Sequence, residues 1–127
     1  MKGFVGNIEE ITLLNEYFRE VLFTGAHCQL VVMSLKPLEE IGMEVHPDND
    51  QFFRFEKGEG KVIIDGEEHK VGNGTALVIP AGANHNIINV SASEELKMYT
   101  IYAPAHHPDG TVHPTKKDAL ESEESEH

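Results

Sequence analysis

Glu44, His46 and Gln51 have the types and spacing from which chemistry can be built. Glu44 and His46 lie two residues apart in a run, Ile41 to His46, that reads as a β-strand, and strand alternation sends both side chains to one face. Pro47-Asp48-Asn49-Asp50 is a string of turn formers, so the chain should reverse and set Gln51 on the returning strand opposite His46. A carboxylate, an imidazole and an amide then converge. Gln51, Phe53 and Phe55 share a face, which gives polar groups at one end of an aromatic interior, the layout of a ligand pocket. Asp48 and Asp50 are competing carboxylates, but in a Pro-led loop their expected use is to cap the turn.

Strands must position these groups, and the chain is rich in them. Short Val, Ile, Phe and Tyr runs bounded by turn residues fall near Phe18 to Phe23, Cys28 to Leu35, Ile41 to His46, Gln51 to Glu56, Gly60 to Ile64, Glu67 to Val71, Ala76 to Ile79, His85 to Val90 and Leu96 to Tyr102. Asp65-Gly66 is the strongest hairpin signal. So many short strands in one chain predict an all-β sandwich or barrel. Glu9 to Tyr17 carries the helical case, with Ile11, Leu14 and Phe18 three or four residues apart. Lys116 to His127 is charged with almost nothing apolar, and reads as a short helical turn or a disordered tail. Cys28 lies in an apolar strand pattern and is expected to be buried.

The chain has 127 residues, enough for one domain. A formal net charge of −12 repels phosphate, so neither nucleic acid nor an anionic membrane is an expected partner. The apolar runs are too short to span a bilayer, and the first residues lack the apolar stretch of a signal peptide, which points to the cytoplasm. A single cysteine excludes an internal disulfide and a Cys-rich zinc module.

Residues 74–89 read Gly74-Thr75-Ala76-Leu77-Val78-Ile79-Pro80-Ala81-Gly82-Ala83-Asn84-His85-Asn86-Ile87-Ile88-Asn89. Here the sequence resembles the cupin superfamily, whose second motif, G-x5-P-x-G-x2-H-x3-N, is met at Gly74, Pro80, Gly82, His85 and Asn89. The first cupin motif, G-x5-H-x-H-x4-E-x6-G, aligns without gaps from Leu38 to Gly58. His46 and Gly58 keep the motif letter, while Leu38 stands for Gly, Glu44 for His and Gln51 for Glu. The resemblance spans about residues 28–103. It implies a double-stranded β-barrel of jelly-roll type filling a single domain over 1–115, followed by an acidic tail over 116–127.

The resemblance also implies a divalent metal at Glu44, His46, Gln51 and His85. Two imidazoles, a carboxylate and an amide oxygen suit Fe, Mn, Ni or Zn. The alternative is a buried Glu44 held by hydrogen bonds, Gln51 closing the hairpin, and histidines left from a site that no longer loads metal. Two functions follow. One is a metal enzyme acting on a small polar molecule by isomerisation, epimerisation or dioxygenation, with Glu44 as ligand or base and the substrate beside Phe53, Phe55, Tyr99 and Ile101. The other is a non-catalytic binding or sensor module. Arg19, Arg54 and Lys61 show no obvious inward position, which counts against a phosphosugar. His106, His107 and His113 could fold over the barrel mouth as a lid, but a solvated surface loop is the preferred reading. His27, His69 and His127 are expected to be exposed. Phe52 should point outward as a subunit contact, in keeping with the dimers common among cupins.

Overall fold

Alternation of apolar and polar residues sorts the strands onto two facing sheets. In a computed structural model, which describes residues 1–125, the order is α1 (Ile8–Leu14), β1 (Arg19–Thr24), β2 (Gln29–Leu35), β3 (Asp50–Lys57), β4 (Glu59–Ile64), β5 (Glu67–Gly72), β6 (Ala76–Ile79), β7 (His85–Asn89), β8 (Leu96–Ala103), β9 (Val112–His113) and α2 (Lys116–Ser125). One sheet runs β6-β3-β8-β2-β1-β9 and the other β5-β4-β7. The expected all-β jelly roll is what forms.

Its core lies between the inner faces. Val31, Met33 and Leu35 of β2, Phe53 and Phe55 of β3, and Leu96 and Met98 of β8 meet Val62 of β4 and Ile87 of β7, each 1% exposed or less. Each such side chain contributes about 1.5–3 kcal/mol on burial. Asp65 and Gly66 both take positive φ, 45° and 84°, and join β4 to β5 in the predicted two-residue hairpin.

Four local readings change. The stretch Ile41 to His46 is not a continuous strand: it touches β7 at one isolated bridge, Glu44 with His85, and a second, Glu40 with Ile88, lies just before it. Gly42 breaks it with a φ of 108°, and the Asn86 side chain takes the Gly42 N–H at 2.8 Å in place of a ladder bond. Cys28 is exposed rather than buried, because it sits in the turn closed by Gly25 N–H to Cys28 O, ahead of β2. Helix α1 stops at Leu14, since Asn15 bonds both backbone groups of Tyr17 through its amide and so ends the helix before Tyr17. Lys116–Ser125 is helical, and Ala119, 2% exposed, packs it into the core cluster.

Among the described residues, no helix is long and apolar enough to cross a membrane.

Candidate metal centre

Two backbone hydrogen bonds build the centre. Glu44 N–H donates to His85 O at 2.8 Å and His85 N–H to Glu44 O at 2.9 Å. Residues paired in this reciprocal way project side chains to the same face. His46, two residues on, is held by Gly82 N–H to His46 O at 3.0 Å. The turn presenting that N–H closes with Ala83 N–H to Pro80 O and needs a φ of 88° at Gly82, a conformation glycine adopts without strain. Asp50 caps a turn, as expected, but the facing one: its Oδ1 accepts from Ala81 N–H at 2.9 Å.

The donor atoms of Glu44, His46 and His85 all lie within 4.8 Å of one another. His46 Nε2 stands 2.9 Å from Glu44 Oε2, yet off the line of a hydrogen bond. Two ligands meeting an ion at a right angle, each about 2.1 Å from it, stand about 3.0 Å apart, so the spacing of this imidazole–carboxylate contact also fits two ligands of one ion. His85 Nδ1 faces Ala83 O at 3.1 Å, and when it donates there Nε2 is left with its lone pair for a ligand bond. Burial pushes the His85 pKa down against the pull of the Ala83 carbonyl, which favours the neutral, metal-binding form. Burial alone would raise the Glu44 pKa, but contact with His46 and the charges of His46, Arg19 and His85 outweigh it and hold the carboxyl below its ordinary value. The residues fit a divalent ion.

Gln51 is linked to this cluster through Tyr102. It is 2% exposed and shares a cross-strand row with Tyr102, whose ring is 5.7 Å from that of His46. Its Nε2 donates to Thr100 Oγ1 at 3.0 Å, while Oε1 is buried without a hydrogen-bond partner, an acceptor suited to a cation.

The strand register corrects the expected pocket wall. Phe53 and Phe55 face inward, but Tyr99 pairs with Arg54 and Ile101 with Phe52, so Tyr99 and Ile101 lie on the outer face. The inward residues of β8 are Met98, Thr100 and Tyr102, one position out of step with the expected pair. His27 and His69 are exposed as expected, and His127 lies outside the described residues.

The histidine-rich segment reaches the site as a lid, yet its outer part stays at the surface as the preferred loop reading implies: His106 and residues 108–110 are exposed and His107 is half-buried. The His106 ring packs 4.2 Å from that of His46 and stacks on Tyr102, and His107 meets the Tyr102 ring edge-on. Buried Gln29 holds the segment, accepting from His106 and His107 N–H at 3.2 and 3.0 Å and donating to His107 O at 2.8 Å. Asn49 donates to Pro104 O at 2.6 Å. Burial, then the charges of Arg19, His106, His113 and His46, push the His107 pKa down to about 2. Both rings reach Tyr102 because one takes its face and the other its edge.

Arg19 is the residue that strand reading misplaces. It pairs with Met33 of the core and with His113, so it points into the barrel, and it is 2% exposed. Arg54 and Lys61 stay outside, paired with Glu56 and Glu68.

Known proteins carry the same architecture. Residues 31–102 match the family described as the cupin domain. Protein L612 of Acanthamoeba polyphaga mimivirus is 50% identical over 113 residues, 86% of this chain and 70% of that protein. The crystal structure of BH2720 from Bacillus halodurans is similar at a TM-score of 0.92 and 44% identity, covering 94% of this chain and 95% of that one. A 4-deoxy-L-threo-5-hexosulose-uronate ketol-isomerase of Salmonella paratyphi A is 41% identical over 61 residues, which are 47% of this chain but 20% of that enzyme. With a matched span of more than half its length, enclosing the Glu44, His46 and His85 cluster, the chain belongs to the cupin domain family.

Proposed function

We propose that the chain is a metal-dependent enzyme acting on a small polar molecule, with isomerisation favoured over epimerisation or dioxygenation. The convergence of Glu44, His46 and His85 within 4.8 Å of one another carries this reading. The segment shared with a ketol-isomerase supports the choice of reaction. Glu44, His46, Gln51 and His85 would hold an Fe, Mn, Ni or Zn ion, and the ion would supply polarisation of a substrate carbonyl. Glu44 serves here as ligand, its carboxylate kept ionised by its neighbours. Buried Phe53 and Tyr102 would give the substrate an apolar surround, with the His106 ring stacked on Tyr102. The enzyme is proposed to act as a cytoplasmic homodimer.

A non-catalytic binding module is the second reading, favoured by one observation: Gln29 and Asn49 tie the lid down from two sides. Elemental analysis of untagged, desalted protein tests the metal. About one ion per chain, reduced roughly tenfold in Glu44→Ala, His46→Ala and His85→Ala, is expected. Absence of metal after reconstitution would sink the metalloenzyme reading. Turnover of uronates and ketoses that stops on stripping the metal marks the enzyme, whereas ligand-induced stabilisation without product marks the binding module.

A further inference from the structure

The barrel interior holds a cation that forms no direct ion pair with a carboxylate among the described residues, Glu44 acting on it only at a distance. Arg19 is 98% buried on the inner face of β1. Its Nη1 meets His113 Nδ1 at 3.3 Å, its guanidinium carbon lies 5.2 Å from the Phe18 ring centroid, and its Nε is buried with no hydrogen-bond partner. Among the described residues no carboxylate forms an ion pair with it. A buried, unpaired guanidinium costs several kcal/mol unless something neutralises it. A structural arginine would normally have acquired an Asp or Glu.

The neighbourhood says where a further negative charge belongs. The strand registers put Arg19 on the same inward face of the large sheet as Gln29, Thr100 and Gln51, and its charge reaches Glu44 and His107. Glu44 is the sole carboxylate in the candidate ligand cluster, so a divalent ion there would leave the region positive. We infer that Arg19 is a substrate-recognition residue that binds the carboxylate group of a small organic acid held between its guanidinium and the metal centre. A planar guanidinium matches a carboxylate through two parallel N–H bonds. The orphaned Nε is one of the donors such a pair requires. A phosphate dianion suits the site less well, since Arg19 is its one cationic side chain among imidazoles, with no lysine beside it.

This deepens the enzyme reading above and rests on it, so the test separates the two. The sequence has only two arginines, Arg19 and Arg54, which makes the Arg19 Nε–H resonance readily assignable in a ¹⁵N spectrum. Metal-depleted and metal-loaded proteins are titrated with galacturonate against galactose, malonate against malonamide, and inorganic phosphate. Each carboxylate should bind about tenfold or more tighter than its neutral partner and shift the Arg19 Nε–H signal, with Arg54 unmoved. Arg19→Gln should lose that preference and Arg19→Lys retain part of it, both with unchanged metal content. Equal binding of charged and neutral partners, an unmoved Arg19 signal, or phosphate displacing malonate overturns the inference. If neither variant folds, the resonance shift in the unaltered protein still decides. Metal loading without an Arg19 response removes the carboxylate site alone. An Arg19 response without metal loading removes the metal reading and leaves the acid-binding site.

Discussion

Leu38 occupies the first position of the first cupin motif, where the motif has glycine, and its backbone still adopts the glycine conformation. Its φ is 63°, its N–H donates to Ser91 O at 3.0 Å, and its side chain is 64% exposed. A left-handed conformation costs a residue with a Cβ about 1–2 kcal/mol, and an exposed leucine recovers little of that through burial. Leu38→Gly should therefore raise the stability by about 1 kcal/mol, or about 4 °C in Tm, once the greater chain entropy of glycine is deducted. An unchanged or lower Tm would show that the turn is not strained by its side chain. The motif letters divide by job in the same way. Gly82 supplies a turn, Gly58 passes so close to Glu95 that a Cβ would lie 2.5 Å from its carbonyl oxygen, and Asn89 donates to the carbonyls of Leu35, Lys36 and Glu94. These positions were legible because each is fixed by the backbone beside it. Arg19 was not, since its inward direction depends on where β1 begins and on its pairing with Met33 and His113, far along the chain.

The lid is an element that local pattern does not reveal. Its anchors, Gln29 and Asn49, are 77 and 55 residues from the groups they hold, and no periodicity links such positions. The stretch from Ile41 to His46 failed differently: its alternation is strand-like, but Gly42 and the Asn86 amide divert the hydrogen bonds, leaving Glu44 and His46 placed by a single bridge and a turn. Burial of neutral imidazole gives the lid a pH signature. With the folded pKa of His107 at about 2 and its ordinary value at 6.5, protons bind the unfolded chain more readily, so its contribution to stability is complete above pH 6.5 and declines as pH falls toward 2. His85 acts with the same sign, while Glu44, held below 4.5, adds its loss only at lower pH. Urea unfolding at pH 7, 6 and 5 should show stability falling in the unaltered protein and falling less in His107→Gln. The difference is at most about 1.4 kcal/mol per pH unit for one proton. Identical slopes in the two proteins would mean that His107 titrates freely and that the lid opens in solution.

At the scale of the whole molecule, the outer face of the large sheet remains to be accounted for. α1 packs on one end of it, where Lys97 Nζ donates to Asn15 O and the outward Val32 is 1% exposed. Beyond the helix, Val78, Phe52, Ile101, Leu30 and Phe23 form one in-register row across β6, β3, β8, β2 and β1. Val78 is 62% exposed and the others are half-buried. Five strands at their ordinary spacing make this row about 19 Å long, a continuous apolar stripe on a protein whose net charge is −12. A second copy carries that same charge, and an isologous contact along this uncharged row would bring two copies together without facing acidic surfaces. The proposed homodimer should sediment at twice the 14.1 kDa of one chain and melt at a temperature that rises with protein concentration. Phe52→Glu places a charge at the centre of the row and should yield a folded monomer whose metal content is unchanged, because Phe52 points away from the barrel interior. A monomeric unaltered protein at micromolar concentration, or a Phe52→Glu variant that remains dimeric, would move the subunit contact away from this face and leave the stripe to another occupant.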